Sequence, residues 1–76
     1  MKPNPKRTLN VEALYHDLDN RRRRVGLSWR RLARNTGLSA STLSRMQHGA
    51  RPDADGLASL LAWLGRPLSD FVEAEP

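Results

Sequence analysis

From Val11 onward the apolar residues recur at helical spacing rather than in alternation. Val11, Leu14, Tyr15, Leu18 and Val25 share one face of a helix predicted over Val11–Arg24, with Asn10 as its N-cap and Gly26 as its stop. Arg22 falls on that same face and needs a partner, because an unpaired buried charge is costly. A second, shorter helix is predicted over Trp29–Asn35 behind Ser28. It turns Trp29, Leu32, Ala33 and Thr36 inward and Arg30, Arg31 and Arg34 outward. Gly37 ends it, and Leu38 must tuck inward. Ser39 caps a third helix over Ala40–His48, with Leu43 and Met46 beneath, Ser41, Ser44, Arg45 and His48 opposite, and Ala40 at the leading edge. Gly49 closes it.

The connection Ala50-Arg51-Pro52 leads to Asp53, which caps a fourth helix over Ala54–Leu64. Leu57, Leu60, Leu61 and Leu64 form its apolar stripe, and Trp63 sits beside that stripe. After Gly65, a short fifth helix starting at Pro67 or Ser69 carries Leu68, Phe71 and Val72. No segment has a convincing strand pattern. The expectation is an all-α fold of five short helices over residues 10–72, preceded by a flexible basic arm at 1–9 and followed by a frayed acidic tail at 73–76.

At 76 residues the chain forms one domain at most. A chain of this size buries roughly 60–65% of its unfolded surface, so its core is small. There is no cysteine, and His16 and His48 are the only imidazoles, so no metal site is expected. The acidic residues read as caps or tail, and neither histidine has an obvious carboxylate partner. With so small a core, no enzyme activity, cofactor or small-molecule ligand is expected. No run of about 20 apolar residues could span a bilayer. The charged stretch Met1 to Leu9 is not followed by an apolar run, so no export signal is read and a cytoplasmic location is the expectation.

The net charge is +5, and its distribution says more than its size. Residues 1–51 carry twelve Lys/Arg against three Asp/Glu, a net +9; residues 52–76 carry one against five, a net −4. This asymmetry points to a polyanion-binding surface with a separate acidic end. Eleven of the thirteen basic residues are Arg, which suits forked contacts to phosphate and guanine.

Two short helices joined by Thr36-Gly37-Leu38-Ser39 describe a helix-turn-helix. A major groove admits one α-helix, and small polar residues let its backbone approach the base edges. Ser41 and Ser44 are short donors and acceptors, and Arg45 can fork onto a guanine. A solvated face on an ordinary helical bundle is the competing reading, and Ser28 and Ser39 double as caps in either case.

The run GLSWRRLARNTGLSASTLSRMQHGARPDADGLASLLAWLGRPLSDFV resembles the lambda-repressor/Cro-like helix-turn-helix domains of bacterial and phage regulators. Leu32-Ala33, Gly37-Leu38-Ser39, Leu43-Ser44-Arg45, Gly49 and Arg51-Pro52 carry the likeness, which covers about Leu14 to Val72. The resemblance implies a recognition helix at Ala40–His48, with base contacts from Ala40, Ser41, Ser44 and Arg45. It implies phosphate contacts from Ser28 and Trp29, and an approach of Arg51 to the backbone or minor groove; Arg30 and His48 complete the candidate backbone contacts. It also implies that Arg22 touches phosphate and pairs with Gln47. Trp29 and Ala40 depart from the usual polar residues. Trp29 either donates its indole N–H to a phosphate or packs, and packing is favoured because indole buries a large apolar area.

Lys2, Lys6 and Arg7 either follow a minor groove, as basic arms do, or contact nothing. Trp63, Leu68, Phe71 and Val72 either form a homodimer interface on a pseudopalindromic site or complete a monomeric core. The function expected is that of a sequence-specific double-stranded DNA-binding transcriptional regulator, in the first instance a repressor. The short format, with no second domain after Pro76, leads to the expectation of a phage or mobile-element origin and of any inducer acting through another protein. The rival readings are an antitoxin or other protein-interaction module on the same scaffold, and RNA binding through the Arg21–Arg24 run.

Overall fold

The computed structural model describes residues 6–74. Strand β1 (Arg7–Leu9) is followed by α1 (Val11–Val25), α2 (Trp29–Thr36), α3 (Ala40–Met46), α4 (Ala54–Leu64), a 3-10 turn (Leu68–Phe71) and strand β2 (Val72–Ala74). The sequence-based helix boundaries for α1, α2 and α4 hold to within a residue, because each start is fixed by a side-chain cap. Asn10, Ser28 and Asp53 accept from the backbone N–H three residues on, as Ser39 does for α3. Gly26, Gly37 and Gly65 each end a helix in the left-handed region.

Among the described residues there are four α-helices rather than five, since Leu68–Phe71 forms a single 3-10 turn behind Pro67. Residues 7–9, expected in a flexible arm, pair antiparallel with Val72–Ala74, part of which was expected to fray. The register sets Arg7 against Ala74, Thr8 against Glu73 and Leu9 against Val72. The Asn10 amide N–H donates to the Phe71 carbonyl at 2.7 Å, and Asn10 Nδ2 to Glu73 Oε1 at 2.7 Å, extending the ribbon into the α1 cap. The third helix stops at Met46 rather than His48. There the ladder tightens to bonds spanning three residues, Gln47 to Ser44, His48 to Arg45 and Gly49 to Met46. Val25, expected inward, is 53% exposed: the buried face of α1 ends at Leu18, and beyond it Arg22 lies against Trp29.

The core is Val11, Leu14 and Leu18 of α1, Leu32 and Ala33 of α2, Leu43 and Met46 of α3, Leu60 and Leu64 of α4, and Phe71. Leu57 and Leu61 are half-buried and pack against it. Thr36 is the buried polar residue; its hydroxyl donates to the Leu32 carbonyl at 2.8 Å, so its burial leaves nothing unsatisfied. Gly56 lets α4 close on the helix-turn-helix. A Cβ there would lie 2.8 Å from the Asp53 carboxylate that caps the helix and 3.4 Å from Leu38.

Candidate nucleic-acid interface

The α2–turn–α3 unit is set by short-range bonds. Ser28 Oγ accepts from the Arg31 N–H at 3.1 Å. Gly37, at φ 76°, lets the Leu38 N–H return to the Ala33 carbonyl at 3.0 Å and drops Leu38 inward against the core. Ser39 Oγ then accepts from the Thr42 N–H at 3.1 Å and lies 2.8 Å from the Thr42 hydroxyl. With Leu43 and Met46 locked beneath, α3 has no freedom to roll, and Ala40, Ser41, Ser44 and Arg45 are all exposed.

Arg45 makes no side-chain hydrogen bond or ion pair among the described residues, and neither do Arg30, Arg31 and Arg34 of α2, all exposed. Two adjacent helices therefore present four arginines whose charge no carboxylate offsets. Such a face attracts phosphate from any direction and leaves Arg45 free to reach a base edge. Ser28 and His48 are likewise exposed, Ser28 before α2 and His48 in the turn after α3. Arg51 reaches back to β1, where its Nη2 donates to Thr8 Oγ1 at 3.1 Å.

A cleft of about 350 Å³ runs between the end of α1, the start of α2 and α3, lined in part by Tyr15, Asp19, Arg22, Trp29, Ser44 and Gln47. Trp29 stacks on Tyr15, ring centroids 4.8 Å apart and planes 14° from parallel, and the Arg22 guanidinium lies 4.7 Å from its ring. The indole thus contacts both side chains, so packing is the role this arrangement gives Trp29. Burial, and then the nearby Asp19 carboxylate, push the Tyr15 hydroxyl above its ordinary range, so it stays protonated.

The expected Arg22–Gln47 pair is absent. Asp19, one turn back on α1, takes Arg22 instead: its Oδ1 accepts from Nη2 at 2.6 Å and Nε at 3.2 Å, while Arg22 Nη1 donates to the Leu27 carbonyl at 2.9 Å. A local partner at helical spacing needs no ordering of a second element, and it prevails. Asp19 also holds Arg23, at 3.1 Å through Oδ2. Sequence reasoning passed over Asp19 and Thr8. The three- and four-residue spacings from Asp19 to Arg22 and Arg23 were a usable signal; nothing local marks Thr8.

Of the arm residues, Lys6 is exposed, Arg7 lies in β1 and Lys2 is outside the described residues. Of the four apolar candidates for an interface, Phe71 is 3% exposed and belongs to the core, which removes it from any docking face. Trp63 is half-buried with the Arg21 guanidinium 5.5 Å from its ring. Leu68, 44% exposed, and half-buried Val72 line an apolar groove of about 360 Å³ with Arg7 and Ser69. Among the described residues no group of three or more metal-ligating side chains comes together, and no helix is long and apolar enough to cross a membrane.

Residues 17–76 match the family of Cro/C1-type HTH DNA-binding domains. Among solved structures, the chain is similar to the clp gene regulator ClgR from Corynebacterium glutamicum. The two are 32% identical with a TM-score of 0.63, over 90% of this chain and 70% of that one. No curated protein matches the chain.

Proposed function

This chain belongs to the Cro/C1-type helix-turn-helix DNA-binding family, and from that premise we propose that it recognises a specific duplex sequence by laying α3 in the major groove. Family membership and the likeness to a gene regulator make it a DNA-binding transcription regulator. The observation that carries the finer reading is the exposed face of Ala40, Ser41, Ser44 and Arg45, held outward by Leu43 and Met46 and flanked by arginines without carboxylate partners. In this reading Arg45 forks onto a guanine, Ser41 and Ser44 contact base edges, and Ala40 meets a thymine methyl. Ser28, Arg30, His48 and Arg51 contact the backbone, with Arg22 supporting them from the cleft. Lys6 approaches the duplex beside Arg51. Repression is the mode of action proposed, because covering a promoter needs nothing beyond occupancy, and the site of action is the cytoplasm, where bacterial and phage DNA lies.

A homodimer is part of the proposal. One seven-residue helix reaches few base pairs, and a second copy doubles the sequence read. Leu68 and Val72, with Trp63 at the flank, are the apolar side chains available for it.

Selection of bound sites from a random duplex library tests the proposal. The expected result is a pseudopalindrome with a guanine in each half-site whose loss mimics Arg45→Ala. Recovery of no preferred sequence, with equal retention of every duplex, would overturn specific reading. A single half-site, with sedimentation of a monomer on DNA, would overturn the dimer alone.

A further inference from the structure

Asp19 is the one acidic residue lining the cleft between α1, α2 and α3, and both of its oxygens are engaged by arginines. The two arginines are held differently. Arg22 has three anchors, namely Asp19, the Leu27 carbonyl and the Trp29 ring, and its side chain is only 17% exposed. Arg23 is 71% exposed, and Asp19 is its sole polar side-chain partner among the described residues. Removing the carboxylate therefore leaves Arg22 in place and sets Arg23 free. The neighbouring arginines of α2 have no such internal anion.

A carboxylate in this position resembles a phosphate in charge and in its bidentate acceptor geometry. It competes with the duplex for the same guanidinium groups, and it repels phosphate on its own account. Both effects act on every sequence alike, since phosphate contacts carry no base information. We propose that Asp19 sets the strength of phosphate binding: an internal anion that occupies Arg23, and in part Arg22, beside the reading helix and so weakens binding to every duplex by a similar factor. This rests on the duplex-binding reading above. The preferred site still gains its base contacts from α3, which Asp19 does not touch, so overall affinity is where the residue acts and the ratio of specific to non-specific affinity is left unchanged.

The test uses the full chain, a random-sequence duplex and the selected site, each titrated across a range of salt. Asp19→Asn is expected to tighten binding to the random duplex about three- to tenfold near 0.1 M salt and to steepen its log–log salt slope by about 0.9, one added phosphate contact. The selected site is expected to gain by a similar factor, so the specificity ratio holds. Adding Arg23→Gln to Asp19→Asn restores the wild-type slope. Asp70→Asn makes the same charge change beside Arg66, on the far side of α1, and is expected to leave the slope alone. A thermal melt reports the folding of each variant separately.

If a folded Asp19→Asn variant binds the random duplex with wild-type affinity and slope, or more weakly, the inference is overturned. If Asp70→Asn tightens binding as much as Asp19→Asn, net charge explains the gain and the inference is likewise overturned. Wild-type chain that ignores all duplexes in dilute buffer would sink the duplex-binding reading itself, and this inference with it.

Discussion

Arginine does opposite work on the two sides of α1. On the side of α2 and α3, Arg30, Arg31, Arg34 and Arg45 stand exposed with no carboxylate beside them. On the other side Arg66 and Arg21 are bound into the structure, while Arg7 and Arg24 stand exposed without an ion pair among the described residues. Arg66 joins Asp17 of α1 at 2.8 Å to Asp70 at 2.7 Å and lies 5.3 Å from the Phe71 ring. Arg21 Nη1 donates to the Leu64 carbonyl at 3.0 Å, closing the end of α4, and covers Trp63. The Asp70 carboxylate raises the Arg66 pKa further, though the guanidinium is charged at any relevant pH regardless. A basic composition alone therefore does not locate a polyanion surface. What locates it is the group of unneutralised arginines carried by the two helices of the helix-turn-helix.

The contrast can be broken or sharpened by substitution. The largest effect is expected at Phe71, whose ring sits in the core beneath the Arg66 clasp. Phe71→Ala is expected to cost about 3–5 kcal/mol, a large share of a small domain's stability, and urea denaturation measures it. Both sides of the molecule fail together in that variant, because α1 spans them. Arg45→Ala comes next: about 1–3 kcal/mol is lost on the selected site, with melting unchanged and residual binding to random duplex retained. Equal loss on every sequence would make Arg45 a phosphate contact and nothing more.

Gly56→Ala separates packing from charge. The added Cβ crowds the Asp53 cap and Leu38, and the expected loss is about 1 kcal/mol, that of a disturbed cap, in the same denaturation experiment. The smallest effects form the sharpest pair. Arg34→Gln is expected to lower the salt slope of duplex binding by about 0.9 at unchanged stability. Arg66→Gln is expected to leave that slope unchanged while losing less than about 1 kcal/mol of stability, since exposed ion pairs contribute little. The reverse pattern would mean that the duplex meets the other side of the molecule.

Where the sequence was legible, the determinants were local. Asn10, Ser28, Ser39 and Asp53 each bond the backbone three residues away, so a cap can be read without knowing the fold. The outward face of α3 was legible for the same reason, since Leu43 and Met46 fix its orientation by spacing alone. The ribbon was not. Each strand is three residues long, too short for an alternation to register, and each finds its partner at the opposite end of the chain. Arg22 shows the same limit from the other direction. Its need for a partner was clear from its position on the apolar face, yet the family resemblance pointed across the fold to Gln47 when Asp19 was within one helical turn. The early end of α3 depends on a ladder that tightens over Gln47–Gly49, and helix ends are where spacing carries least information.

The pairing of Thr8 with Glu73 closes nearly the whole chain into a loop. Local helices can form quickly, whereas so distant a closure must wait until the rest of the chain has brought its ends together. The ribbon is accordingly expected to assemble last and to open first in native-state fluctuations, which amide hydrogen exchange at Thr8 and Glu73 checks. Through Thr8, the orientation of Arg51 at the edge of the reading surface follows that opening and closing. The aim of Arg51 is thus tied to a contact that joins the two ends of the described chain.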